Sequence, residues 1–301
     1  MGTADKTETT TNPTTQQFSA SNMTTCMIVL PARLESSRLP KKLLKVASGK
    51  TILQHTFEAA SQSTLADQIL VAVDDHELAK ETERFGGSWK LTSTKCQSGT
   101  DRVAEVATQF PEVDIFVNVQ SDEPEISGDT IDLVISSLQN CPKADISTAG
   151  TPIRDAETLR DPSCVKVVMG DFQRARLADN KTDAAVLEAQ KANAAGQGRA
   201  LYFSRSAVPH LRDGVDREDF FRDPPIFWHH IGIYAYRREF LEWFTNTPPS
   251  RLEQIEKLEQ LRALEAGKII QVAQVPHAAS GIDTQNDFDQ FVARLADNGD
   301  K

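Results

Sequence analysis

Short apolar runs alternate along this chain with segments of helical period, and this alternation limits the possible folds more than any other feature. Apolar runs of strand length occupy residues 27–30, 69–73 and 115–119. Apolar residues recur at helical spacing in residues 52–60 and 78–85, on either side of the second run. Such alternation predicts an α/β fold with a mostly parallel sheet that is covered by helices on both faces.

The rest of the chain continues this pattern. Further strands are predicted at residues 89–92, 146–153, 165–169, 200–204, 228–236 and 268–275. A further helix is predicted to follow the segment 97–102 and to run to about residue 109, and others are predicted at residues 131–138, 252–261 and 284–295. A chain of 301 residues can bury a large core, and we expect a single α/β domain over residues 26–296.

Three segments fall outside the alternation. Residues 1–25 are rich in Thr, Asn, Gln and Ser and lack the apolar core of a signal peptide, so we expect a disordered N-terminal tail. Residues 171–198 are polar and Ala-rich, and residues 184–195 within them are compatible with either an exposed helix or disorder. Residues 297–301 are predicted to form a short C-terminal tail.

Charge and cysteine content bound the partners and the compartment. The net charge of −10 argues against a general nucleic-acid binder, because a phosphate backbone needs a positive face. No apolar run has the length of a membrane span, so no membrane partner is expected. The four cysteines form no C-x-x-C pair, which predicts reduced thiols in a cytoplasmic protein rather than a zinc site or disulfides.

A basic loop follows the first predicted strand. It carries Arg33, Arg38, Lys41 and Lys42, with small serines between them. The charges can neutralise phosphate oxygens, and small residues let backbone N–H groups approach, so the loop suits a polyphosphate. An ordinary solvated turn is the alternative that these residues leave open. No G-x-G-x-x-G segment follows the strand, which disfavours a dinucleotide cofactor.

Acidic residues follow the buried strand at residues 115–119. Asp122 and Glu123 stand where carboxylates can hold Mg²⁺ beside a triphosphate, although Asp and Pro are also common in turns. Asp283 precedes the last helix, whose start is predicted from a Thr284–Asp287 capping box. An acid at that point can simply favour the helix dipole.

Several polar residues have a structural as well as a functional interpretation. In residues 97–102, Ser98 or Thr100 can cap a helix, and the same helix end can contact a ligand. Adjacent strand residues face opposite sides, so His229 and His230 are not expected to share a metal ion. Lys166 lies inside a strand, and we expect it to face solvent.

Eight blocks of the sequence, in order, resemble the sugar-activating cytidylyltransferases, most closely those that act on 3-deoxy-manno-octulosonate (Kdo). The blocks are residues 30–43, 97–102, 117–124, 165–168, 201–205, 230–237, 258–262 and 281–284. The resemblance implies a Rossmann-like fold of the nucleotide-diphospho-sugar transferase type, Mg²⁺ as cofactor and a homodimer. It also implies transfer of CMP from CTP to the anomeric hydroxyl of Kdo, which gives CMP-Kdo and pyrophosphate for lipopolysaccharide biosynthesis.

The resemblance assigns roles to individual residues. The catalytic residues that it implies are Arg38, Lys42 and Asp122. The implied nucleotide-binding residues are Arg33, Arg38, Lys42, Gln97, Ser98, Gly99, Thr100 and Gln120. The implied sugar-binding residues are Arg205, His230, Tyr234, Glu259 and Gln260, and the implied metal ligands are Asp122 and Asp283. An Arg fork at position 205 also matches a sugar-acid carboxylate, with a surface salt bridge as the alternative.

The sequence departs from the family pattern at several positions, and other functions stay open. Lys41 and Ser121 stand where Gly is usual, Leu43 where Pro is usual and Cys96 where His is usual, and residues 171–198 resemble an insertion. The substrate could be a related sugar acid such as 8-amino-Kdo. A glycosyltransferase would share the acidic ligands without needing the basic loop, and a non-catalytic regulator would bind CTP without turnover.

Overall fold

The structure is a computed structural model that describes residues 24–173, 196–277 and 281–299. The predicted tail at residues 1–25 and the insertion at 171–198 fall mostly outside these ranges and stay predictions. Of the C-terminal tail predicted at residues 297–301, residues 300–301 lie outside the described ranges, while the last helix extends to Gly299. The extent of the single domain also stays a prediction. Among the described residues, no helix is long and apolar enough to cross a membrane.

Strands and helices alternate through the described residues. The strands are β1 (Cys26–Ala32), β2 (Val46–Ala47), β3 (Lys50–Thr51), β4 (Gln68–Val73), β5 (Trp89–Leu91), β6 (Ile115–Asn118), β7 (Ile146–Pro152), β8 (Lys166–Gln173), β9 (Gln197–Ser204), β10 (Trp228–Arg237) and β11 (Ile270–Gln274). The α-helices are α1 (Ile52–Ala60), α2 (His76–Arg84), α3 (Gly99–Ala107), α4 (Gly128–Gln139), α5 (Ala156–Arg160), α6 (Arg238–Thr245), α7 (Arg251–Glu256), α8 (Gln260–Glu265) and α9 (Gln285–Gly299). Short 3₁₀ helices occupy Lys42–Leu44 and Arg217–Phe221.

The described strands build one nine-stranded sheet in the order β5-β4-β1-β6-β10-β7-β11-β9-β8, and β2 pairs with β3 apart from it. β1 pairs in parallel with β4 and β6, β4 with β5, and β7 with β11. β10 is antiparallel to β6 and β7, and β9 is antiparallel to β8 and β11. Because only β9 and β10 run against the other strands, the predicted mostly parallel, mixed sheet is confirmed.

Side chains of β1 alternate between two cores, one on each face of the sheet. Ile28 and Leu30 belong to a core that includes α1, α2, α4 and α9. Met27 and Val29 belong to a second core that includes α3, α6 and α8. A strand that is buried on both faces reads as a continuous apolar run, which explains why β1 shows no polar alternation.

The helix predicted over residues 252–261 is two short helices, α7 and α8. Lys257 ends α7 in the left-handed conformation, with φ of 55° and ψ of 48°. The Arg205 guanidinium donates from Nε to the Glu256 carbonyl at 2.8 Å, so a carbonyl at the end of α7 gains a side-chain partner. Ile255, an apolar residue within the predicted helix, is 64% exposed.

The basic loop contains a second left-handed residue, Lys41, with φ of 49°. It immediately precedes the 3₁₀ helix at Lys42–Leu44, in which Leu43 is buried. The Lys41 ammonium lies 2.6 Å from a Glu77 carboxylate oxygen on α2. A position that favours glycine is therefore held by lysine, and its side chain is drawn away from the loop.

We expect Lys41→Gly to be more stable than Lys41→Ala by about 1 kcal/mol, because a left-handed backbone strains any residue with a Cβ. Both variants lose the exposed ion pair with Glu77, so the difference between their free energies of unfolding reports the backbone strain alone. Urea denaturation of both variants measures it. Equal stability, or a more stable alanine variant, would contradict a strained backbone at this position.

Candidate active site

The carboxyl ends of β1 and β6 bring the basic loop and the acidic residues together. Lys42 donates from Nζ to Oδ2 of Asp122 and, at 2.9 Å, to Oδ1 of Asp283. The backbone N–H of Ile282 donates to the Asp122 carbonyl at 2.9 Å, which joins the two acidic loops. Residues that are far apart in the sequence thus meet at one ammonium group.

The four basic residues of the loop divide into two pairs. Arg38 joins Lys42, because its Nη2 lies 2.9 Å from the other Asp283 oxygen. Arg33 instead donates to the Cys96 carbonyl at 3.1 Å, and Lys41 is paired with Glu77. Arg38 and Lys42 therefore form the cationic centre of the site.

Burial and charge act in opposite directions on this centre. Burial alone would lower the pKa of Lys42, but Asp122 and Asp283 raise it above its ordinary value. Glu123 lies beside them, and its Oε2 is buried without a hydrogen-bond partner among the described residues. Burial, reinforced by the two neighbouring carboxylates, raises the pKa of Glu123 to about 8.

Two oxygen ligands at this point suit a hard divalent cation. The described residues hold no group of three or more Cys, His, Asp and Glu side chains that could enclose a metal ion. Mg²⁺ is usually held by one or two carboxylates together with substrate phosphates, so a complete protein cage is not needed. Asp122 and Asp283 share a contact with Lys42 and fit this requirement.

Two buried contacts hold the loops in place. Ser121 donates from Oγ to the Pro31 carbonyl at 2.7 Å, and Thr56 donates to the Ser121 carbonyl at 3.0 Å. The Ser121 side chain is buried beneath the loop, where it ties the end of β6 to β1. The extra side chain at this family glycine position thus becomes a structural link.

Asp74 and Arg102, for which no role was predicted, support the start of the basic loop. Asp74 accepts from the Leu34 backbone N–H at 3.0 Å and from Arg102 Nη2 at 3.1 Å. Arg102 is fully buried and also donates to Thr92. Its place in the 97–102 block marked Arg102 as a candidate, but its partners Asp74 and Thr92 follow β4 and β5, which lie outside that block.

The N-terminus of α3 faces the same region. Ser98 caps the helix and Asp101 completes a capping box, which confirms the predicted cap. Thr100 does not cap the helix, because its Oγ1 lies 3.1 Å from the Tyr236 hydroxyl. The Gln97 side chain contacts the Lys95 carbonyl at 3.4 Å, within its own loop.

The Cys96 thiol is engaged with the body of α3. Its Sγ donates to a Glu105 carboxylate oxygen at 3.2 Å. Burial, reinforced by Glu105, raises the pKa of the thiol to about 11. A thiol held in this way remains protonated at neutral pH.

A cavity of about 540 Å³ adjoins the α3 N-terminus, β10 and the start of α8. It is lined by Gly99, Thr100, Asn118, Gln120, Ser163, Val165, Arg205, His229, His230, Gly232, Tyr234, Lys257, Leu258, Glu259 and Gln260. All residues predicted to bind the sugar line this central cavity, together with three of those predicted to bind the nucleotide. Arg33, Arg38, Lys42, Gln97, Ser98, Asp122 and Asp283 are not among its lining residues.

Arg205 is held at the cavity by backbone carbonyls. Its guanidinium donates from Nε to Glu256, from Nη1 to Pro162 at 3.0 Å and from Nη2 to Lys257 at 3.5 Å. The backbone N–H of Arg205 donates to the Glu256 carboxylate at 3.0 Å. A guanidinium has five N–H groups, and the described residues accept from three of them, so one on each terminal nitrogen is left for a ligand, which suits a carboxylate.

His230 and Tyr234 lie four residues apart on β10, and their rings are in contact. Their ring centroids are 5.5 Å apart, and His230 also packs edge-on against Phe203. Burial, together with the nearby His229, lowers the pKa of His230 to about 3, while burial raises that of Tyr234 well above its usual value. Both side chains are therefore neutral at physiological pH.

Glu259 connects the cavity with the α3 N-terminus. Burial raises its pKa, while hydrogen bonds with Thr100 and Ser98 act in the opposite direction. Because it both lines the cavity and contacts the helix end, Glu259 touches the regions predicted for both substrates.

The expectation that Lys166 faces solvent is wrong. Lys166 is fully buried, and its Nζ donates to the carbonyls of Asp161 at 2.8 Å, Cys164 at 2.6 Å and Arg205 at 2.7 Å. Burial lowers its pKa. Three carbonyls satisfy its three N–H donors, which allows a lysine to lie inside the fold and to fix the backbone of Arg205.

Asn118, Ser163, His229 and Lys257 also line the cavity without having been predicted to do so. Asn118 could have been identified from the sequence, because it is a polar residue within the apolar run of β6. The others lie on loops or on a strand face whose environment depends on distant segments.

Comparisons with known proteins agree on one family. A family model described as cytidylyltransferase matches residues 27–270. A Rhodopirellula baltica protein named 3-deoxy-manno-octulosonate cytidylyltransferase is 53% identical over 270 residues, which cover 90% of this chain and 98% of the relative. A protein of the same name from Geobacter sulfurreducens is 38% identical over 270 residues, 89% of this chain and 98% of the relative.

A solved structure of similar fold is a complex with a nucleotide. It is described as CMP:2-keto-3-deoxy-manno-octonic acid synthetase complexed with CTP. It is 34% identical, has a TM-score of 0.76 and covers 91% of this chain and 99% of its own.

Replacing His230 by Gln should change how stability depends on pH. The pKa of His230 is lowered from 6.5 to about 3, so below pH 6.5 the unfolded chain takes up a proton that the folded chain refuses. The wild type should therefore lose about 1–2 kcal/mol more than the variant between about pH 7.5 and about pH 5. Urea denaturation at both pH values measures this.

The control is His76→Gln, at an exposed position at the start of α2. Its free energy of unfolding should change with pH as that of the wild type does. If the stability of His230→Gln shows the same pH dependence as the wild type, the ring at position 230 is not held neutral by burial.

Proposed function

We propose, because the chain belongs to the cytidylyltransferase family, that it transfers CMP from CTP to the anomeric hydroxyl of Kdo. The products are CMP-Kdo and pyrophosphate. The observation that carries this proposal is the contact of Lys42 with Asp122 and Asp283 at the carboxyl ends of β1 and β6. Cations suited to phosphate and carboxylates suited to a metal ion occur there together, and Gln120, two residues before Asp122, lines a cavity of about 540 Å³.

The reaction needs positioning and charge neutralisation rather than a protein nucleophile. The anomeric oxygen of Kdo forms a bond to the α-phosphorus of CTP as the bond between that phosphorus and the bridging oxygen of the β-phosphate breaks. Pyrophosphate carries away the electron pair, and the proton of the hydroxyl passes to solvent. Arg38 and Lys42 would stabilise the negative charge on the phosphates, which is the main requirement of such a transfer.

Binding would exchange the partners of Lys42 and Arg38. Both cations are paired with carboxylates in the free protein. When the triphosphate binds, they would donate to phosphate oxygens, which frees Asp122 and Asp283 to bind a cation. The triphosphate releases the carboxylates that bind the cation, and the cation releases the basic residues that bind the triphosphate. CTP and Mg²⁺ should therefore bind more tightly together than either does alone.

Asp122 and Asp283 are the residues that would hold Mg²⁺. When bound, the ion would neutralise phosphate charge and lower the pKa of the attacking hydroxyl. Glu123 supports this assignment. Its Oε2 lies next to Asp122 and Asp283, is buried and has no hydrogen-bond partner among the described residues, so it can accept a hydrogen bond from a group bound there.

The central cavity would hold the sugar acid. The free N–H groups of Arg205 suit its carboxylate, while Tyr234, Glu259 and Gln260 offer partners for its hydroxyls. Gly99, Thr100 and Gln120 line the same cavity and would meet the nucleotide at its inner end. Homodimeric assembly, a cytoplasmic location and a role in lipopolysaccharide biosynthesis stay predictions from the family.

The first experiment measures pyrophosphate release from CTP and Mg²⁺ with and without Kdo, and identifies CMP-Kdo by mass. We expect release that depends on Kdo. Release with 8-amino-Kdo alone would keep the mechanism and change the substrate. CTP binding without turnover would favour a regulator, and turnover with a nucleotide sugar would favour a glycosyltransferase.

Asp122→Asn should lower Kdo-dependent pyrophosphate release by about 100-fold or more, because it removes a charge that the reaction needs. The matched control is Asp145→Asn, which removes another half-buried carboxylate, 3.1 Å from Lys268 and just before β7, at the opposite edge of the sheet. The control should retain activity. Full activity in Asp122→Asn, or an equal loss in the control, would contradict the role of Asp122.

A further inference from the structure

Thr148 contacts the buried side of His230. Thr148 lies on β7, is fully buried and does not line the central cavity. Its Oγ1 is 3.0 Å from His230 Nε2, 2.7 Å from the Ile233 carbonyl oxygen and 3.1 Å from that of Ile231. The register between β10 and β7 shifts between Ile231 and Tyr234, and this irregularity brings both carbonyls within reach of one hydroxyl.

The direction of each hydrogen bond follows from the atoms involved. Carbonyl oxygens only accept, and two oxygens 2.7 Å apart repel each other unless a hydrogen lies between them, so the single hydrogen of Thr148 is directed to the Ile233 carbonyl, the nearer of the two. The hydroxyl then has only lone pairs left for His230. His230 Nε2 must therefore carry the hydrogen, and in a neutral ring Nδ1 must be an acceptor.

His230 lines the central cavity, and no described residue donates to its Nδ1. We propose that Thr148 is a positioning residue that fixes the Nε2–H tautomer of His230, so that Nδ1 accepts a hydrogen bond from a hydroxyl of the sugar acid. This inference rests on the proposed function of the cavity as the sugar site. It adds that the histidine accepts from its ligand and does not donate to it.

The tautomer would contribute to substrate choice. An Nδ1 acceptor takes a hydroxyl or ammonium donor, but it leaves a ligand carbonyl or carboxylate at the same point without a partner. The opposite tautomer would reverse this preference. A carboxylate bound at Arg205 and a hydroxyl bound at His230 would thus be distinguished by partners of opposite hydrogen-bonding character.

Thr148→Val removes the hydroxyl and keeps the shape of the side chain. Without an acceptor at Nε2, the ring can move its hydrogen to Nδ1. We expect KM for Kdo to rise about tenfold, as for the loss of one hydrogen bond, while KM for CTP and kcat change little. The full-length protein with ¹⁵N-labelled histidine reports the tautomer by NMR, with the His230 signal assigned from its absence in His230→Gln.

Two controls separate this role from a general effect on packing. Thr148→Ser keeps the hydroxyl and should retain the tautomer and KM of the wild type. Ser147→Ala removes another fully buried hydroxyl on the same strand, one that donates to the Val134 carbonyl at 2.6 Å and does not line the cavity. It should leave both the tautomer and KM for Kdo unchanged.

An Nδ1–H tautomer in the wild type would overturn the inference without any variant, so the test stands even if Thr148→Val fails to fold. An unchanged tautomer or an unchanged KM for Kdo in a folded Thr148→Val would overturn it too. If the wild type releases no pyrophosphate with Kdo, the proposed function fails instead, and the NMR result still decides the tautomer.

Discussion

The ammonium of Lys42 joins the parts of this fold that are most distant in the sequence. One of its carboxylate partners follows β6 and the other precedes α9, while Lys42 itself follows β1. The parallel pairing of β1 with β6 makes this meeting possible, because both strands deliver their loops to the same edge. Like charges on Asp122 and Asp283 would repel each other at this point, so the lysine also stabilises the closed arrangement of the loops.

Support for the site lies one layer deeper, in buried polar groups that hydrogen-bond to the loops of the site. Arg102 and Asp74 hold the basic loop, Ser121 joins β6 to β1, and Lys166 fixes the backbone of Arg205. When one partner of such a hydrogen bond is removed, the other partner stays buried and unsatisfied. The free energy lost is then larger than the net stabilisation that the hydrogen bond contributes. Much of the precision of the site therefore depends on residues that touch no substrate.

Sequence patterns predicted the sheet and the position of the site for physical reasons. Apolar runs such as β1 are buried on both faces whatever their neighbours, and loops that follow parallel strands meet at one edge. The same patterns failed at Lys166 and at the break between α7 and α8, because both depend on Arg205 or on carbonyls from distant segments. The link from Thr148 to His230 depends on a register shift, which no local pattern reveals.

Lys166 has a consequence beyond its hydrogen bonds. All its partners are carbonyls, so no carboxylate cancels its charge within bonding distance among the described residues. A positive charge in a medium of low polarisability has a long reach, and the cavity wall at Arg205 lies directly beside it. Its charge therefore makes a positive contribution to the electrostatic potential at this wall, and that contribution acts on a ligand before any side chain touches it. A neutral sugar of the same shape would gain nothing from that field.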